Sequence, residues 1–114
     1  MAVAYNTTID QGADWYLTVT YENPNGTAIN ITNYTAALQI RSLPSDPTTV
    51  LSLSTGSGIT ITGATGTVAV RATAAQTGAI DEGTYYYDLE ITAPTGVVTR
   101  LVQGQVVVSP EVTR

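Results

Sequence analysis

The chain has no histidine, no cysteine and no lysine among its 114 residues. Those side chains are the ones best suited to exchange a proton or attack an electrophile near neutral pH. Without cysteine there is no disulfide framework and no Cys-based zinc or redox site. Charge is scarce as well: 11% of residues are charged, the net charge is −5, and the basic residues Arg41, Arg71, Arg100 and Arg114 are scattered. No basic stripe can track a phosphate backbone, so nucleic acid is not expected as a partner. No apolar run reaches membrane-spanning length, so no membrane is expected either. The Met-Ala-Val-Ala-Tyr start has neither a basic cluster nor an apolar stretch, and no cleaved secretion signal is expected. These absences point to a building block rather than an enzyme, with no cofactor and no metal.

With 43% hydrophobic residues the chain is far from a disordered composition, and 114 residues suffice for one domain, 1–114, with one core. The dominant pattern is alternation of period two. Trp15, Leu17, Val19 and Tyr21 face one way, and Tyr16, Thr18 and Thr20 face the other. The same holds for Ala36, Leu38 and Ile40 against Ala37, Gln39 and Arg41. Val68, Val70 and Ala72 form another inward set, and Tyr85, Tyr87, Leu89 and Ile91 the clearest one. Asn23-Pro24-Asn25-Gly26, Gly63-Ala64-Thr65-Gly66 and Ala93-Pro94-Thr95-Gly96 are turn signals. They predict hairpins joining Ile59–Thr62 to Thr67–Ala72, and Thr84–Thr92 to the long Val97–Val108 run. Ala28–Ile31 reads as a short strand, and Gly104 as a bulge or bend. Only Thr73–Ile80 has helical character, with Thr73 as N-cap. The expected fold is all-β: an antiparallel immunoglobulin-like β-sandwich of seven to nine strands with one short crossover helix.

Carboxylates are the remaining acid–base groups. Asp10 and Asp14 flank Gln11-Gly12-Ala13, and Asp81-Glu82 precede Gly83. Held in a cleft they would suit glycoside hydrolysis, or several oxygens could bind Ca²⁺. Asp beside Gly is more simply turn chemistry, and no catalytic or metal-ligating residue is assigned. Tyr16 and Tyr86 are the aromatic candidates for an interface, because exposed tyrosine suits protein contacts and sugar platforms. They would form one patch if their strands were neighbours. Arg114, at the end of the polar Ser109–Arg114 tail, is the third candidate contact residue. Asn6, Asn25, Asn30 and Asn33 each begin an Asn-x-Thr triplet, read as chance matches in an Asn- and Thr-rich chain rather than glycan acceptors.

Four segments carry a family resemblance: TIDQGADW (Thr8–Trp15), INITNYTAALQIR (Ile29–Arg41), GTYYYDLEIT (Gly83–Thr92) and VTRLVQGQVVVSPEVTR (Val98–Arg114). Together they resemble the small structural domains of tailed bacteriophages, widespread in marine and cyanobacterial phages. They are similar in pattern to the N-terminal domain of siphophage upper baseplate proteins. The chain departs from that pattern in having Asn30 for Asp, Asn33 for Gly and Gln103 for Glu. The resemblance implies a virion protein with an immunoglobulin-like sandwich, assembled in the host cytoplasm and docked on a repeating surface. It would serve as capsid decoration or as a small tail or baseplate adaptor. Its partners would be other virion proteins, the major capsid protein or baseplate and tail components, with a homo-oligomer in the particle. Met1–Thr7 and Ser109–Arg114 would order on assembly. The other reading is an immunoglobulin-like module giving weak, multivalent attachment to host-surface glycans.

Overall fold

The structure, a computed structural model, describes residues 3–112; Arg114 lies outside them. Nine strands follow in chain order: β1 (Val3–Ala4), β2 (Thr7–Asp10), β3 (Trp15–Thr20), β4 (Thr35–Arg41), β5 (Leu51–Thr55), β6 (Gly58–Thr62), β7 (Thr67–Ala72), β8 (Gly83–Thr92) and β9 (Val98–Ser109). Among the described residues one α-helix, α1 (Ala74–Gly78), lies between β7 and β8, and a 3-10 turn at Gly63–Thr65 joins β6 to β7. The chain is all-β, and the strands form one curled sheet in the order β1-β9-β8-β4-β5-β6-β7-β3, with β2 also on β9.

The alternating apolar sets turn inward as their spacing requires. Ile9, Trp15, Leu38, Ile40, Val68, Val70, Tyr87, Leu89, Ile91, Val106 and Val108 enter one core, completed by Ile31 and Ile80 from the connections. Both expected hairpins are present. β6 pairs antiparallel with β7 from Ile59↔Val70 to Thr62↔Thr67, and β8 pairs antiparallel with β9 along ten residues of β8.

The sheet is mixed, however, not purely antiparallel. β1 and β2 run parallel to β9. They lie far from β9 in sequence, so no hairpin turn dictates their direction. β5 and β6 also meet in parallel, at Ser54↔Gly58 and Thr55↔Ile59. Gly56 (φ 82) and Gly58 (φ 98) let the chain step sideways in this short space instead of reversing. At Gly58 a Cβ would also press on the Leu53 side chain, 2.7 Å away.

Two further expectations change. Ala28–Ile31 forms no strand, only an isolated Glu22↔Ala28 bridge, because Ile31 drops straight into the core. The irregularity in β9 falls at Leu101, not Gly104. Leu89 pairs with Val102 and Glu90 with Arg100, which leaves Leu101 unopposed. Leu101 and Val102 are then both buried, as the extra residue of a bulge allows.

Gly104 has a different task. The chain between β1 and β2 passes over it so closely that a Cβ there would collide with the Tyr5 carbonyl. That carbonyl accepts a 2.7 Å hydrogen bond from the buried Tyr87 hydroxyl. Beside it, the Asn6 side chain accepts from the Gln105 amide (3.0 Å), supplying a ladder bond where β1 and β2 break. Val3–Thr7 are therefore already paired within the fold, not left to order later, while Met1 and Ala2 lie outside the described residues.

The helix is built as its sequence predicts. Thr73 caps it, accepting from Gln76 N (3.2 Å), while the Gln76 side chain accepts from Thr73 N (2.8 Å). The fully buried Thr77 hydroxyl donates to Ala13 O and accepts from Gly12 N, tying the helix to the turn before β3.

Candidate interaction faces

The outward residues of the sheet make two shallow depressions on different strands. On β4-β8-β9, cross-strand register aligns Arg41, Tyr86 and Gln105 in one row and Gln39, Asp88 and Gln103 in the next. After the bulge, Ala37, Glu90 and Arg100 form the third. The resulting hollow, about 430 Å³, is lined by Tyr86, both arginines and these amides, with Pro44 on its rim. Its polar groups largely bond one another. Arg41 donates to Asp46 O (2.7 Å) and to Gln39 Oε1 (2.8 Å). Arg100 donates to Gln103 Oε1 (3.0 Å) and lies 3.4 Å from Asp88 and 3.7 Å from Glu90.

The second hollow, about 490 Å³, lies on β6-β7-β3 and is lined by Tyr16, Thr18, Thr60, Ala69 and Arg71. Tyr16 is 64% exposed, and the Arg71 guanidinium sits 5.9 Å from its ring centroid. Arg71 also donates to Asp14 Oδ2 (2.6 Å), and Ala74 N donates to Asp14 Oδ1 (2.7 Å). The Arg71 hydrogen bond first, then the Ala74 amide, hold the Asp14 carboxyl below its ordinary range.

Tyr16 and Tyr86 therefore do not form one patch. β3 ends the sheet beside β7, whereas β8 lies between β9 and β4. Reading strands singly selects the two tyrosines and passes over Gln39, Arg41, Arg100, Gln103 and Gln105, which line the same hollow as Tyr86. Their positions are outward by period, yet only the register brings them together.

Of the acidic candidates, Asp14 has a structural role: it accepts from the first amide of α1 and pairs with Arg71, while the Asp81 backbone carbonyl accepts from the Tyr85 hydroxyl (2.7 Å). Burial, then the Asp81 charge, push the Tyr85 phenol up. Among the described residues no three of His, Cys, Asp and Glu come close enough to hold a metal ion. No helix among them is long and apolar enough to cross a membrane.

The residues that begin the Asn-x-Thr triplets also have local tasks. Asn25 and Asn30 accept from the amides of Thr27 (3.0 Å) and Thr32 (2.9 Å). Asn33 has φ 67, a left-handed conformation that asparagine tolerates better than most side chains and glycine adopts freely.

No protein-family model and no curated protein matches the sequence. Among solved structures the chain is similar to the PmoD soluble domain from Methylocystis sp., at 18% identity and a TM-score of 0.49. The match covers 90% of this chain and 77% of that one.

Proposed function

We propose that this chain is a non-enzymatic structural protein of a tailed-phage virion, docking on a repeating particle surface as capsid decoration or as a small tail or baseplate adaptor. The observation that carries this reading is the chemistry of its outer faces. The β6-β7-β3 face is a sheet surface of Thr, Ala and Tyr16 with the single ion pair Arg71–Asp14, and on the β4-β8-β9 face three of the four outward charges, Arg100, Asp88 and Glu90, already meet one another. Such a surface can be covered by a protein neighbour with little charge to desolvate. The resemblance of the four segments to phage structural domains supports the same reading.

We further propose that the curled sheet is an immunoglobulin-like sandwich, with β9-β8-β4-β5 as one layer and β6-β7-β3 as the other; the strand order supports this reading. The two β5–β6 pairs join them at a corner, and α1 carries the chain back between layers. The test is mass spectrometry and immunogold labelling of purified tailed-phage particles from a culture expressing the chain. Regular labelling of capsid or tail is the expected result, and particles free of the chain overturn the proposal.

A second reading, weak glycan attachment, is favoured by the Tyr86 hollow, where planar amides, guanidinium groups and a ring line one depression. An oligomerised form on a glycan array tests it, and silence across the array removes it.

A further inference from the structure

One edge of the sheet is open. β3 pairs with β7 without a register shift, from Trp15↔Ala72 to Thr20↔Thr67, and has no strand on its other side among the described residues. Sheet edges are normally blunted by charge, proline, a bulge or a cover, because unpaired N–H and C=O groups invite another strand. Trp15–Thr20 (WYLTVT) has no charge, no proline and no glycine. Tyr21 N donates to Gly66 O (2.8 Å), directly across the same ladder. Antiparallel alternation therefore turns the backbone groups of Trp15, Leu17 and Val19 toward β7, and those of Tyr16, Thr18 and Thr20 toward the open side.

We propose that this edge binds a second copy of the same chain, β3 antiparallel to β3 about a twofold axis at Leu17, continuing the sheet from one copy into the other. The strand is complementary to itself in this register. The N–H and C=O of Tyr16 meet those of the second copy's Thr18, and their side chains form an aromatic/β-branched pair on the outer face. On the inner face Trp15 lies opposite Val19 of the second copy, and Leu17 opposite its equivalent.

Charge selects the register. An axis at Thr18 would set Asp14 opposite the second copy's Glu22, a like-charge pair. An axis at Leu17 sets Asp14 opposite Thr20 instead. A partner of another sequence would need none of this symmetry. One strand pair buries little surface, so the dimer is weak in solution and gains strength where copies are already arrayed.

Sedimentation of the full chain, from dilute up to about 1 mM to reach weak association, is expected to show the mass rising from 11.9 kDa toward twice that value. Thr18→Pro removes an amide donor facing the open side and none facing β7, the one place an edge strand accepts proline. It is expected to keep the circular dichroism of the folded chain and remain monomeric throughout. The chain has no cysteine, so Leu17→Cys can form a disulfide only between copies. Equivalent residues of a non-hydrogen-bonded pair lie about 4.5 Å apart, within disulfide reach, and mild oxidation is expected to trap the dimer. A chain that stays monomeric to the highest concentration overturns the proposal. So does a dimer indifferent to Thr18→Pro, or a Leu17→Cys chain that fails to cross-link.

Discussion

The two edges of this sheet are built in opposite ways. Along β9 the border is β1 and β2, short parallel strands interrupted at Tyr5-Asn6, where side chains take over from the regular ladder. Tyr87 holds the Tyr5 carbonyl, and Asn6 replaces a backbone acceptor for Gln105. At the other border β3 is uncharged and in unbroken register with β7. Irregularity makes the first edge a poor template for further strands. Regularity makes the second a good one. The same chain thus closes one side by local bonding and leaves the other able to pair.

The largest effect is expected at Gly104. Gly104→Val places side-chain atoms where the Tyr5 carbonyl passes, so either Val3–Asp10 lifts off or β9 shifts. Forcing atoms into packed space costs about 1–3 kcal/mol, and this site belongs at the upper end because the obstacle is backbone. Denaturant unfolding checks it. If the two edges are independent, self-association through β3 survives wherever the variant remains folded. A loss of both would mean that they are coupled.

Tyr87→Phe is the next step down. It removes the bond to Tyr5 and leaves a carbonyl without that donor, at about 1–2 kcal/mol. It also changes the response to alkali. Burial pushes the Tyr87 phenol up to about 12, so the fold favours its neutral form. That stabilisation is complete below the unfolded value near 10 and is lost as pH rises from there through about 12. Unfolding free energies measured across this window should fall less steeply for the Phe variant. An unchanged slope would assign the alkaline loss to other tyrosines.

How much of this was readable beforehand follows from what each feature depends on. Strand faces need only period two, and every inward set from Trp15 to Ile91 enters the core as spaced. The Thr73 cap is likewise local, since its Gln76 partner is three residues away. Parallel pairing of β1 and β2 is not local. Nothing in Val3–Asp10 states that Val102 and Val106 are its neighbours, and Gly104 looked like a bend because its obstacle, Tyr5, lies at the far end of the chain. The two-tyrosine patch failed for the same reason. Period fixes that Tyr16 and Tyr86 face outward, but strand order decides which residues stand beside them.

The smallest expected effect lies at the anchored end of the open edge. Asp14 precedes β3 and accepts from both Arg71 and the first amide of α1, so it fixes where the strand begins. Its carboxyl is held below the ordinary range, so the carboxylate stabilises the fold above the unfolded value near 3.9. That contribution is lost as pH falls through the lower folded value. Asp14 is exposed, and solvent screening keeps the effect below those of Gly104 and Tyr87. Asp14→Asn retains an acceptor but no charge. Its stability should therefore drop slightly at neutral pH and converge on the parent protein as the pH is taken below about 3, in paired acid titrations of unfolding. Because the substituted amide oxygen would still cap α1, β3 should keep its register and its dimer. If the variant frays Trp15 and abolishes pairing, the open edge depends on one ion pair rather than on the regular β7 ladder.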